Sequence, residues 1–379
     1  MEAAKERGEY YDPDAGKALF SDFGNKWLIS RVADPSTLLR YETAYRLHVA
    51  PVFAHLQVRA VKPSGVQAWI KDLSERFGPS TVITAVLVLQ GILDLAVADE
   101  AIRNNPAKSP VVRVPGRQVS DIEVWDDLVV VAVIEAHPDQ LRAIPELAAS
   151  LGMREGELFG LAQEDLDLDE ERVVRVRRQV KRIGRVFVFA LPKNDRERAI
   201  PLSDWAVQVL RRHIGQYPPR SYTLPWEKPD GKPHTCRLLF RWPLDAQHVK
   251  SRSYSETVWK PAIARAGIIP GPEKDKRGRA RYATTRKEGI HQLRHYFASV
   301  MLAGGVSVKE LSEYLGHADP GFTLRVYAHL LPSSYARART VINDRFSHLM
   351  TAPGSAAFER QATQSRDQPH GTETEQTRS

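Results

Sequence analysis

His291-Gln-Leu-Arg294-His295-Tyr-Phe-Ala-Ser299 is followed by Leu315-Gly316-His317 and then by Tyr327-Ala-His329, an ordered set of polar residues on what should be successive helices. His291 and Arg294 are three residues apart, so on a helix they share a face and reach one ligand. The string runs on into Phe297 and Val300, apolar positions suited to the buried side of that helix. Ser307-Val-Lys-Glu310 is a capping box that opens a second helix, and Gly316 stands where that helix should end. Asp319-Pro320 then reads as the cap and first residue of a third helix, which carries Tyr327. Upstream, Leu151-Gly152-Met153-Arg154-Glu155-Gly156-Glu157-Leu158 adds a second arginine, and Pro192-Lys193-Asn194-Asp195-Arg196 adds a lysine in a turn.

These residue types suit attack on a phosphodiester. The transition state concentrates charge on the nonbridging oxygens, and the planar arginine fork offers two parallel donors that cannot lose their charge. Removing one donor of this electrostatic kind typically raises a barrier by about 3 to 4 kcal/mol. A phenol, with an ordinary pKa of about 10, is a weak nucleophile at neutral pH and requires cations and a proton acceptor beside it. Taken singly, each residue has a plainer reading: a surface arginine, a histidine of the core, a packing residue among 12 tyrosines. Their order and flanks carry the argument.

The series Arg154, Lys193, His291, Arg294, His317, Tyr327 resembles the tyrosine recombinase (phage integrase) family, from residue 18 to 348 and most closely over 151–168 and 290–331. The resemblance implies a mainly α fold with a small antiparallel β-sheet, built as a helical SAM-like core-binding domain plus an α/β catalytic domain. It gives Tyr327 the part of nucleophile, forming a 3′-phosphotyrosine and freeing a 5′-hydroxyl without nucleotide, metal or other cofactor. Arg154 and Arg294 would neutralise the phosphate, His317 would hydrogen-bond it, and His291 would aid proton transfer to or from the tyrosine. Lys193 would protonate the leaving oxygen, with Lys181 in the preceding turn as its rival. Glu157 has a structural part there, His295 packs or orients its helix, and His329 is a surface residue. The implied partners are double-stranded DNA at recombination sites, further copies of the chain in a tetramer, and an accessory DNA-bending or directionality factor. A helix over Ser334–Met350, with Ala336, Val341, Phe346 and Leu349, would pack on a neighbouring copy. Integration or excision of a phage or other mobile element is the expected setting. A cellular recombinase resolving chromosome or plasmid dimers uses the same residues, and a noncatalytic DNA-binding relative is the reading from another class.

Composition agrees with this. At 379 residues the chain exceeds one ordinary core, and its net charge of +8, with a pI of about 9.5, favours a polyanionic partner. The one cysteine, Cys236, excludes an internal disulfide framework and suits a reducing cytoplasm. Gly184, Gly215 and Gly231 stand alone without a phosphate-loop motif, no His-Glu-x-x-His occurs, and Glu164-Asp165 and Asp167-Asp169 read as a surface turn. The apolar stretches Ile83–Val97 and Leu128–Ile134 are interrupted or short, so no membrane span is expected, and Met1 opens no signal peptide.

Along the chain, residues 1–16 form a polar tail that looks like the close of an arm-binding domain lost or left out by a late start. Residues 17–105 read as the helical core-binding domain, with Phe20, Phe23, Trp27 and Leu28 on one face, Leu38, Tyr41, Tyr45 and Leu47 on another, Val66, Trp69, Ile70 and Leu73 on a third, and Thr81–Ala98 as the buried central helix. Proline, glycine and basic residues mark 106–120 as a linker, 121–350 as the catalytic domain and 351–379, almost without apolar residues, as a disordered tail. Within the catalytic domain a helix capped at Ser120-Asp121 runs through Ala136 despite the β-branched run Val129–Val133. Arg172–Val180 and Arg185–Leu191 make a hairpin turning at Lys181–Gly184, Arg198–Leu202 is a third strand, and a helix spans Asp204–Ile214. Residues 217–237 and 269–289 read as surface loops.

Overall fold

The structure, a computed structural model, describes residues 15–116, 123–330, 339–340 and 342–347. All but the last two residues of the expected 1–16 tail, the 351–379 tail, the Ser120-Asp121 cap and most of the expected C-terminal helix lie outside these residues. Helix α1 (Phe20–Ser30) sends Phe20, Phe23 and Trp27 inward. Helix α2 (Pro35–Ala44) is capped by Asp34, whose carboxylate accepts from Ser36 N at 2.8 Å, and it continues through a π-helical turn (Tyr45–Val49) into Ala50–Phe53. That extra residue per turn rotates the downstream side chains. Leu47, expected on the buried face, is therefore half exposed, and Val49 takes its place in the core.

Helix α3 (Pro63–Arg76) buries Val66, Trp69, Ile70 and Leu73, and α4 (Pro79–Ala98) is the central helix of this bundle. Gly91 lets α4 approach α1, since a Cβ there would stand 2.7 Å from the Trp27 ring. By length and composition α4 passes for a membrane span, yet eight of its residues are buried in the bundle, as befits a core helix.

The second unit opens with α5 (Asp127–Glu135), where Asp126 accepts from Val129 N at 2.9 Å. The cap and the inward pair Val130 and Val133 make the β-branched run helical. Helix α6 (Asp139–Leu151) is buried along most of its length and ends at Gly152 in the left-handed region, φ +59°. The short α7 (Glu155–Phe159) follows.

Strands β1 (Leu166–Asp167), β2 (Val173–Val176) and β5 (Arg198–Pro201) form an antiparallel sheet in the order β1-β2-β5, while β3 (Gln179–Ile183) pairs with β4 (Val186–Ala190) as a separate hairpin. The expected long strand is broken because Arg178 turns inward to meet Asp165 at 2.6 Å, both side chains buried. The hairpin turn falls after Ile183, with Gly184 at φ +60°, so Lys181 lies in a strand.

Helix α8 spans Asp204–Gln216. The region read as loop over 217–237 is instead the hairpin β6 (Arg220–Pro225) and β7 (Pro233–Leu238). Pro225 and Pro233 face each other at the end of its ladder, where the missing donors cost little, and Cys236 and Leu238 face the core. Within 269–289, β8 (Glu273–Lys274) and β9 (Ala280–Arg281) make a small second hairpin. Helix α9 runs from Ser251–Tyr254 through a π turn, Ser255–Trp259, into Lys260–Arg265.

Three helices complete the unit: α10 (His291–Ala303), packed on α6, then α11 (Val308–Leu315) and α12 (Pro320–Tyr327). Phe297, Ala298, Leu302, Leu311, Leu315 and Tyr327 form a small core of their own. Lys181 of β3 reaches across to Asp34, at 2.7 Å, and joins the two units. Beside it Arg40, Thr43, Ser80, Thr84 and Arg182 line an open groove of about 840 Å³. Ile342 and Phe346, in the described part of the C-terminal segment, are exposed.

Candidate active site

Arg294 projects from α10 into the interior and is 2% exposed. Its guanidinium donates to Gly152 O and Leu315 O, each at 2.7 Å, and to His317 Nε2 at 2.9 Å. Two of these acceptors belong to the ends of α6 and α11, where carbonyls lack partners within the helix and carry the negative end of its dipole. Both ends turn through glycine. Gly152 faces Phe297 so closely that a Cβ would lie 2.3 Å from its ring, and Gly316 adopts φ +63° beside Arg198.

Arg154 caps α7. It donates to Gly316 O at 3.1 Å and to Glu157 Oε1 at 2.9 Å, while its backbone N–H donates to Glu157 Oε2 at 2.9 Å. Glu157 is fully buried, and Arg198 of β5 closes on it with bonds of 3.1 and 2.6 Å while donating to Tyr314 O at 2.6 Å. Burial alone would raise the Glu157 carboxyl, but Arg198 and Arg154 hold it down to about 2. Two guanidiniums therefore bind one carboxylate, and the third, Arg294, lies near enough to feel its charge. Burial, and then the Arg154 charge, push Arg294 down to about 9, the direction expected for a cation lacking a full complement of anions.

His317 lies just past α11. Arginine can only donate, so Nε2 accepts, and the imidazole proton sits on Nδ1, which donates to Thr323 Oγ1 at 2.7 Å. Desolvation and the charges of Arg294, Arg154, Arg198 and Lys193 push His317 down to about 3, so the ring is neutral at pH 7. Lys193 is exposed in a turn (Lys193–Asp195) between β4 and β5, close enough to His317 for its charge to register there.

Tyr327, at the end of α12, is 2% exposed, with Oη 2.8 Å from His295 Nδ1. Desolvation drives the phenol up to about 12, and Arg294 and Arg154 pull against that rise. His295 was expected only to pack or orient its helix; in the structure it touches the phenol oxygen. His291 lies one turn earlier and is more exposed than His295, its ring edge-on to that of His295 with centroids 4.8 Å apart. Desolvation and the neighbouring His295, Arg294, Arg154 and His317 lower it to about 3. His329 is exposed.

Arg154, Arg294, His317, His291 and Tyr327 thus converge on one site from four separate segments of the chain, with Lys193 at its edge. Lys181, the rival lysine, points to Asp34 instead. Sequence reading missed Arg198, the contact of His295 and the support from Thr323. Thr323 is four residues before Tyr327, on the same face of α12, a spacing that could have revealed it.

Residues 124–334 match the phage integrase family, and residues 19–74 match the phage integrase N-terminal SAM-like domain. The chain belongs to the phage integrase family. It is a tyrosine recombinase, an enzyme that transfers DNA strands. A protein described as a prophage phiRv2 integrase in Mycobacterium tuberculosis is 28% identical over 325 residues, covering 83% of this chain and 76% of that one. A tyrosine recombinase XerC-like protein of Caldanaerobacter subterraneus subsp. tengcongensis is 24% identical over 351 residues, covering 86% and 83%. Among solved structures, the Tn1549 transposon integrase in complex with transposon right end DNA superposes with a TM-score of 0.67 at 19% identity, covering 87% of this chain and 100% of that one. That likeness shows the same fold.

Replacing Glu157 with alanine leaves buried guanidiniums unpaired and should destabilise the chain by about 3 to 5 kcal/mol in urea titrations followed by tryptophan fluorescence. Because the carboxyl is held at about 2, below its usual 4.5, its stabilising contribution is complete above pH 4.5 and is lost as pH falls towards 2. The loss on substitution should therefore shrink on acidification; a loss independent of pH over that window would contradict the ion-pair assignment.

Proposed function

We propose that this recombinase cuts and rejoins duplex DNA through Tyr327, with Arg154, Arg294 and His317 holding the scissile phosphate, His291 assisting proton transfer, and Lys193 protonating the leaving oxygen. The observation that carries this reading is the excess of cations, Arg154 and Arg198 bonded to the single carboxylate of Glu157 and the buried Arg294 near it, set beside a buried phenol. Such a site is short of an anion, and a phosphodiester supplies one. Tyr327 Oη attacks phosphorus, a 3′-phosphotyrosyl bond forms, and the bond to the 5′-oxygen breaks as that oxygen takes a proton. Attack by a 5′-hydroxyl reverses every step. One phosphodiester is exchanged for another, so the chemistry calls for no nucleotide hydrolysis and no cofactor.

We assign 17–105 to core binding, 106–120 to the linker and 121–350 to catalysis, with the two units gripping opposite sides of the duplex. The polar groove beside Lys181 and Asp34, with Arg40 and Arg182, supports that arrangement. The setting is integration or excision of a mobile element in a bacterial cytoplasm, supported by the phage and prophage integrases among its relatives; the XerC-like and XerD relatives favour a cellular dimer-resolving part instead. The active assembly is a tetramer on DNA, helped by an accessory DNA-bending or directionality factor. A lambda integrase tetramer bound to a Holliday junction shares the fold, with a TM-score of 0.58, 13% identity and coverage of 86% of this chain and 80% of that one.

On a nicked duplex bearing the attachment site that flanks its gene, the chain should form a covalent protein–DNA adduct in EDTA without ATP. Tyr327→Phe should bind that duplex and form none. Sulfur in place of the bridging 5′-oxygen, a better leaving group, should rescue Lys193→Ala but not Arg154→Ala. An adduct in the phenylalanine variant, or equal rescue of both others, contradicts these parts. Ending the chain at Pro332, which removes the exposed Ile342 and Phe346, should abolish synapsis in gel-shift assays while single-site binding persists. Normal recombination by the shortened chain would rule out the trans-packing helix.

A further inference from the structure

The hydrogen bond to the Tyr327 phenol comes from a residue outside the set just named. His295 Nδ1 lies 2.8 Å from Oη, with the two rings 5.7 Å apart; Tyr327 is 2% exposed and His295 is partly buried beside it. His291, the histidine given the proton-transfer part above, is one helical turn away and more exposed than His295, and no hydrogen bond links it to the phenol among the described residues.

We infer that His295 is the catalytic base that takes the Tyr327 proton during cleavage and returns it during ligation. This rests on Tyr327 being the nucleophile. In the forward step the Oη–H bond breaks, Oη bonds to phosphorus, and the proton moves to Nδ1. The bond from phosphorus to the 5′-oxygen breaks, and that oxygen takes its proton from Lys193. Ligation restores both protons to their donors, so the cycle balances without another reactant.

The surroundings of His295 suit this part. Desolvation, and then the Arg294 charge, lower His295 to about 4, so the ring is a neutral acceptor at pH 7. The cations that disfavour an imidazolium also favour a phenolate, and a bound diester adds the negative charge that offsets them. Proton transfer is thereby tied to the arrival of DNA. His291, on the same face of α10 and nearer to solvent, is placed to exchange protons with water or to contact the diester.

The test is single-turnover adduct formation on the nicked duplex, with duplex binding checked by gel shift to show that each variant is folded. A positioned base contributes roughly a hundredfold or more. His295→Ala should slow adduct formation by about that factor, and His295→Gln, which keeps a hydrogen-bonding group but takes up no proton, should be equally slow. Installing a fluorinated tyrosine at position 327, whose more acidic phenol needs less help, should recover most of the loss in both variants. Recovery by glutamine alone, or no recovery with the fluorinated phenol, would reduce His295 to a positioning residue and overturn the inference. An adduct formed by His295→Ala at the wild-type rate or faster would overturn it too, the latter because the contact would then be a restraint. If the wild-type chain itself made no Tyr327 adduct, the reading of Tyr327 would fall and this inference with it; an adduct in the wild type and an unimpaired alanine variant would sink this inference alone.

Discussion

Arg294 joins the carbonyl ends of two helices that are far apart in sequence, Gly152 O beyond α6 and Leu315 O on α11, and the site is arranged around that single guanidinium. A buried cation is costly unless its donors are matched, and here they meet carbonyls at the negative ends of helices rather than a carboxylate. The choice has a consequence. A carboxylate would cancel the charge, whereas backbone dipoles orient the guanidinium and leave its charge in place. His317, which accepts the third bond, is fixed in ring orientation and tautomer by Arg294 on one side and Thr323 on the other.

Around this centre Glu157 sets the positions of Arg154 and Arg198 and so couples α7 to β5. Donors held in place before the ligand arrives need no reorganisation during the reaction, and that is where electrostatic catalysis is most effective. The proposed nucleophile is treated differently. Tyr327 is buried, bonded to His295 and held by desolvation in its neutral form at pH 7.

Much of this was legible in the chain itself. The capping box at Ser307, the glycine turn at Gly316 and the Asp319-Pro320 start were read correctly because caps are local, and the order of Arg154, Lys193, His291, Arg294, His317 and Tyr327 pointed to phosphodiester chemistry. What sequence could not show was pairing across distance. Arg198 looked like an ordinary strand residue, since its carboxylate is 41 positions away, and the π turn that exposes Leu47 has no local signature. The β6–β7 hairpin was read as loop because its prolines mark the ladder's end as readily as they mark a coil. His295 was passed over because Tyr327 is 32 residues beyond it, on another helix.

The central claim is that the arginines act by neutralising charge on the nonbridging oxygens. The direct test is cleavage of a duplex whose scissile phosphodiester is replaced by a neutral methylphosphonate, comparing the wild-type chain with Arg154→Ala. With the ordinary diester the variant should be slower by roughly a hundredfold to a thousandfold, and with the neutral linkage that gap should largely close. An undiminished gap would mean that Arg154 serves the site in some way other than through its charge.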